Sequence, residues 1–102
     1  MGCITVIERE RIVFLNPSSK ELATLAKLGF SRNDWRSNAS RDELYEIDTA
    51  NSAPLLEAIR KALGDVPIMN TRWDGWNKVY VEKLISEGEI SPFKPHYITE
   101  VE

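Results

Sequence analysis

The reactions open to this chain are limited by the reactive side chains it carries. One cysteine, Cys3, and one histidine, His96, stand near opposite ends of 102 residues. A thiol and an imidazole make a nucleophile and base when a fold brings them together, but no helix start or glycine-rich loop follows Cys3 to lower its pKa. A single Cys and a single His also leave no ligand set for zinc or an iron–sulfur cluster, and no internal disulfide. The densest carboxylate run is Asp42, Glu43, Glu46 and Asp48. Such acids hold Mg²⁺ or share a proton if they converge on one point, and form a solvated negative face if they do not. The five glycines are scattered and match neither a phosphate loop nor a dinucleotide fingerprint. The inventory points away from catalysis, with no cofactor and no metal expected.

Binding chemistry is better supplied. Three Trp, three Tyr and three Phe in a chain this short exceed what a small core requires, and Trp, Tyr and Arg are the residues that anchor interfaces. The net charge of -3 hides a division along the chain. Residues 1 to 41 hold seven Lys/Arg against four Asp/Glu, whereas residues 42 to 102 hold six against twelve. An acidic later part disfavours nonspecific contact with phosphate and favours a basic partner. The expected function is therefore stoichiometric binding of another protein with a basic surface, in the manner of an immunity protein or antitoxin that occludes a toxin or nuclease. Asp42, Glu43, Glu46 and Asp48 would steer the encounter, and Trp73 or Trp76 would supply desolvated contact. No apolar run is long enough to cross a bilayer and no secretory pattern opens the chain, so a cytoplasmic protein is expected.

A second reading concerns nucleic acid. Leu22 to Arg36, through Leu25-Ala26-Lys27-Leu28-Gly29-Phe30-Ser31-Arg32, resembles a helix-turn-helix, with glycine in the turn and serine opening the recognition helix. The resemblance implies that Arg32, Arg36 and Arg41 face phosphate or base edges. It covers about fifteen residues. Trp35 stands where a small aliphatic residue usually packs, and Ser37-Asn38-Ala39-Ser40 cuts the second helix short. At the start, Gly2-Cys3 resembles the dual acylation signal of some eukaryotic kinases; Val6 replaces the Ser or Thr that myristoylation requires, and the pair reads as the beginning of a strand.

The elements that position these residues follow from periodicity and punctuation. Composition, 42% apolar and 28% charged, and a length of 102 residues predict one globular domain spanning 1–102. Cys3 to Ile7 and Arg11 to Leu15 predict an antiparallel hairpin around Glu8-Arg9-Glu10, with Ile4 and Val6 on one face and Ile12 and Phe14 likewise. Ser18 and Glu21 form a capping box for a helix that Gly29 ends. Residues 44–47 suit a helical turn or a short strand equally. Ser52 as N-cap, Pro54 in the first turn and Gly64 past the end bound a half-buried helix. Thr71 and Asp74 open another helix that Gly88 stops, carrying a stripe of Trp73, Trp76, Tyr80 and Leu84; Asp74-Gly75 is also a hairpin signal, and the good helix formers Glu82 to Ile85 decide for helix. Pro92 and Pro95 force an extended path into a strand over His96 to Val101. The predicted fold is α+β: a small antiparallel sheet, made of the N-terminal hairpin and the C-terminal strand, with three or more helices packed on it.

Overall fold

The alternation of β-branched residues at the start of the chain produces two paired strands, β1 (Cys3–Glu8) and β2 (Arg11–Leu15), in a computed structural model that describes residues 2–34, 42–70 and 76–99. There follow α1 (Ser19–Leu28), β3 (Ser31–Arg32), β4 (Leu44–Asp48), α2 (Ser52–Leu63), β5 (Ile68–Asn70), α3 (Trp76–Ser86) and β6 (Tyr97–Thr99). The fold is α+β, as predicted, but the sheet is larger than expected and mixed. Six strands lie in the order β3-β4-β2-β1-β5-β6. The four strands from β3 to β1 are antiparallel to their neighbours, while β1–β5 and β5–β6 are parallel. The C-terminal strand therefore does not join the hairpin; β5 is inserted between them. Parallel neighbours need a crossover, and α3 provides the one between β5 and β6.

The hairpin departs in one place from simple alternation, which would place Ile4 and Val6 on one face. The register shifts between Ile4 and Val6, a bulge that resets the pleat so that the core takes Ile4 and Ile7. Ile12 and Phe14 are both fully buried, as their spacing predicts. Residues 44–48 resolve as strand, paired with β2 along their whole length. Burying a large apolar side chain contributes about 1.5–3 kcal/mol, and as a strand the segment packs both Tyr45 and Ile47 against the core, which decides between the two readings.

Helix boundaries are set locally. Ser18 accepts from the Glu21 amide and the Glu21 carboxylate accepts from the Ser18 amide, closing the capping box; Gly29, at φ 100°, ends α1 with its N–H donating to Ala26 and the next N–H, on Phe30, donating to Leu25. The N-cap of α2 is Asn51 and not Ser52: the Asn51 Oδ1 accepts from the Ala53 amide at 3.2 Å. Ser52 is instead the first helical residue, buried, with its hydroxyl 3.0 Å from that of Tyr80. Trp76 to Ser86 is helix and not the second arm of a hairpin; the Thr71–Asp74 cap lies outside the described residues. One apolar cluster takes in Leu25 from α1, Ala53, Leu56 and Ile59 from α2, Val81 and Leu84 from α3, and Ile4, Ile7, Ile12, Phe14, Tyr45 and Ile68 from the sheet. Helices α1 to α3 thus cover the same face.

Candidate protein-binding site

Alternation along β4 sends Tyr45 and Ile47 to the helix-covered face, so Leu44, Glu46 and Asp48 lie on the opposite one. Two of the four predicted acids, Glu46 and Asp48, are thereby placed on the face opposite α1 to α3, Asp48 exposed and Glu46 half-buried, and Asp42 and Glu43 sit just before the strand. At about 3.3 Å per residue, Asp42 and Asp48 are separated by roughly 20 Å of extended chain. Such spacing disperses charge along a line and does not focus it on one ion. Among the described residues no three His, Cys, Asp or Glu side chains gather closely enough to hold a metal.

Each acid has a distinct setting. The exposed Asp48 carboxylate takes the Arg11 guanidinium at 3.0 Å. Glu43 lies 4.0 Å from Arg32. Asp42 accepts from the Asn16 side-chain amide at 3.2 Å, and the Asn16 Oδ1 accepts from the Glu43 amide at 2.8 Å. Asn16 makes both contacts from a left-handed backbone, φ 50°, which asparagine tolerates better than other non-glycine residues. Glu46 is half-buried, as Asp42 is, but differs in its partners: its Oε1 accepts from Asn33 Nδ2 at 2.9 Å, and its Oε2 is buried with no hydrogen-bond partner among the described residues. Among the described residues around β4, Asp34, Asp42, Glu43, Glu46 and Asp48 outnumber Arg11 and Arg32, although the two guanidiniums are interleaved with them.

The aromatic half of the predicted site is less defined. Trp76 is the first residue of α3, and Trp73 lies outside the described residues. For the nucleic-acid reading, Ser31 and Arg32 form a strand paired with Tyr45 and Glu46, so Ser31 does not open a recognition helix. The Arg32 Nε is held by Asp34 at 2.7 Å, while Arg36 and Arg41 lie outside the described residues. Phe30 explains the departure: as the residue after the Gly29 cap it is buried in the core, which pulls the chain straight into β3.

Cys3 and His96 are not brought together. Cys3 lies in β1 and His96 immediately before β6, with β5 between them, so two strand spacings of about 10 Å separate their backbones. Burial, reinforced by the charges of Asp42 and Glu21, pushes the Cys3 thiol up and keeps it protonated at neutral pH.

Two buried polar residues hold this arrangement in place: Glu21, which motif reading finds only as half of a capping box, and Asn77, which it does not find. Glu21 is 7% exposed; burial alone would raise its pKa, but N–H groups of Ser18 and Gly2, each donating at 2.8 Å, outweigh it and hold the carboxyl below its usual range. Asn77 is 3% exposed, accepts at Oδ1 from the Ile7 amide at 2.8 Å and donates from Nδ2 to the Met69 carbonyl at 2.6 Å. Its sequence signal is position: 77, 81 and 84 share a helix face, and a polar residue on a face otherwise occupied by Val81 and Leu84 must find buried partners. Among the described residues no helix is long and apolar enough to cross a membrane. Compared with known proteins, the chain matches no family model, no curated sequence and no solved structure.

Proposed function

We propose that the protein acts by binding another protein, and that the contact is made through the outer side of β4 with a cationic group of the partner against Glu46. The observation that carries this reading is the Glu46 carboxylate: half-buried, fixed at one oxygen by Asn33, and left with a buried acceptor oxygen that no described residue satisfies. Leaving such an acceptor unpaired costs about 1–3 kcal/mol, more when it is charged, so a guanidinium or ammonium delivered to it recovers that energy on association. The surrounding acids raise the local concentration of a positive partner, and Asp48 and Glu43 are exposed enough for salt to screen them. An immunity- or antitoxin-type inhibitor of a basic toxin or nuclease fits this chemistry. The helix-turn-helix alternative is not favoured by any contact of Arg32, whose guanidinium faces Asp34 and Glu43.

A tetra-arginine peptide is a direct probe. Titration at low salt should shift the backbone amides of β4, and Glu46→Gln should weaken binding about tenfold, the loss of one charge-assisted hydrogen bond. Unmoved β4 amides at about 20 mM salt, roughly a 20 Å screening length, would remove the proposal. A duplex DNA that shifts Arg32 and its neighbours instead would transfer the assignment to the nucleic-acid reading.

A further inference from the structure

We infer that the mouth between the last turn of α2 and Phe93-Lys94 binds a small monoanionic organic acid, its carboxylate against Arg60 and Lys94 and its short hydrocarbon tail in the apolar cleft beneath. Three observations converge there. First, Arg60 Nε is a buried donor with no acceptor among the described residues, although the same guanidinium gives Nη2 to Glu57 at 3.0 Å and lies 5.0 Å from the centre of the Phe93 ring. Second, Arg60, Gly64, Asp65, Phe93 and Lys94 border an open cavity of about 300 Å³. Third, four of those five residues also border a narrow cleft of about 10 Å³ whose floor is Ile4, Leu56, Ile59, Val66 and Ile68.

Charge and shape select the class of ligand. Glu57 is engaged by Arg60 and Lys61 and accepts from the Ser91 amide, so it leaves Arg60 Nε and the exposed Lys94 as the cationic part of the rim. Asp65, also on the rim, penalises a second negative charge and so disfavours phosphate. The apolar floor requires a hydrocarbon part, which a free inorganic anion lacks. With the Phe93 ring in place the cleft has room for about one water-sized sphere, so the ring must swing outward to admit the tail and to uncover Nε. The backbone beside it is held by a long hydrogen bond, Ser91 to Glu57 at 3.3 Å, and Phe93 lies between Pro92 and Pro95 in a segment without regular structure. This site lies on the helix-covered side, independent of Glu46.

The test is a methyl and amide NMR titration of the intact chain with hexanoate, with hexylamine and acetate as matched probes. Hexanoate should shift the methyls of Ile4, Ile59 and Ile68 and the amide of Lys94, saturating with a Kd on the order of 1 mM. Hexylamine should leave them unmoved, and acetate should bind at least tenfold more weakly. Arg60→Met should raise the hexanoate Kd at least tenfold, and Lys94→Met, on an exposed side chain that leaves folding intact, about threefold. If those methyls stay in place at about 10 mM hexanoate, if hexylamine shifts them equally, or if Lys94→Met leaves the Kd unchanged, the assignment is overturned.

Discussion

Replacing Asn77 by Leu should be among the most destabilising single changes in the protein, for a reason that lies in the backbone and not in side-chain volume. β1 and β5 are paired at Ile4 and Ile68. Farther along, the Asn77 side-chain amide stands between them as a substitute peptide group, accepting from the Ile7 amide on β1 and donating to the Met69 carbonyl on β5. Leucine is close in size but offers neither function, so the Ile7 amide loses its acceptor and the Met69 carbonyl loses the Asn77 donor, in a site that is 3% exposed at Asn77 itself. Orphaning the Ile7 amide costs about 1–3 kcal/mol and losing the bond to Met69 about 0.5–1.5 kcal/mol, together about 1.5–4.5 kcal/mol against a total stability of about 5–15 kcal/mol. For a chain of this size that is a fall in Tm of roughly 10–30 °C. Urea denaturation followed by tryptophan fluorescence measures the loss, and amide exchange locates it: Ile7 should lose protection by more than its hairpin partner Ile12. Asn77→Asp should cost a similar amount, because it removes the donor to Met69 and places negative charge beside that carbonyl. A loss below about 0.5 kcal/mol in Asn77→Leu, or unchanged exchange at Ile7, would refute the substitute-peptide argument.

Two further perturbations test other parts of the frame. Gly2→Ala should destabilise by about 1–3 kcal/mol, because a Cβ there meets the Phe14 ring and comes within 2.7 Å of the Leu15 carbonyl oxygen, neither of which is free to move; thermal melting of the variant reads it. Lowering the pH should weaken the fold from about 4.5 downward. Hydrogen bonds from Arg60 and Ser91 set the Glu57 carboxyl at about 2, and the Glu21 carboxyl is also held low, so their contribution is complete above the unfolded value of 4.5 and is lost as pH falls through the folded values. The urea midpoint should therefore drop between pH 5 and about 2 and should drop less steeply in Glu57→Gln.

What could be read from the sequence divides by the range of the interactions that decide it. The two helices α1 and α2 are bounded by contacts within a few residues, the Ser18–Glu21 box and Gly29 in one case and Gly64 in the other, and these are visible as spacing. The displaced N-cap of α2 shows the limit: Asn51 and Ser52 are equally good caps, and Ser52 is taken out of that role by Tyr80, twenty-eight residues away. The sheet order was not legible because β5 is only three residues long and is held by parallel neighbours on both sides, pairings that leave no local mark. For the site, the acids are evident by type, but that Glu46 is fixed at one oxygen depends on the Asn33 side chain, which follows β3 and reaches it across the β3–β4 pairing. Helical period puts Arg60 on the polar side of α2; that one of its nitrogens is buried follows from Phe93, more than thirty residues on.

The placement of the core has a consequence for how mutations separate binding from folding. Each of the described helices α1 to α3 packs on the face that carries Ile4, Ile12, Phe14 and Tyr45, so the main described core lies on that side, although Val13, paired with Glu46, is also only 3% exposed. Glu46 lies on the other side, where one carboxylate oxygen is held by Asn33 and the other is a buried acceptor with no partner among the described residues. The Glu46→Gln substitution retains an acceptor for Asn33 while removing the charge, so a change in affinity there reads electrostatics with little change in stability. Arg60 has no such separation, because its guanidinium is at once the partner of Glu57, the neighbour of Phe93 and the proposed anion contact. The two surfaces thus respond oppositely to the same experiment: substitution at Glu46 should alter recognition and spare the melting temperature, whereas substitution at Arg60 should alter both. Lys94, bordering the same mouth from an exposed position, is where the second surface can be perturbed without loosening α2.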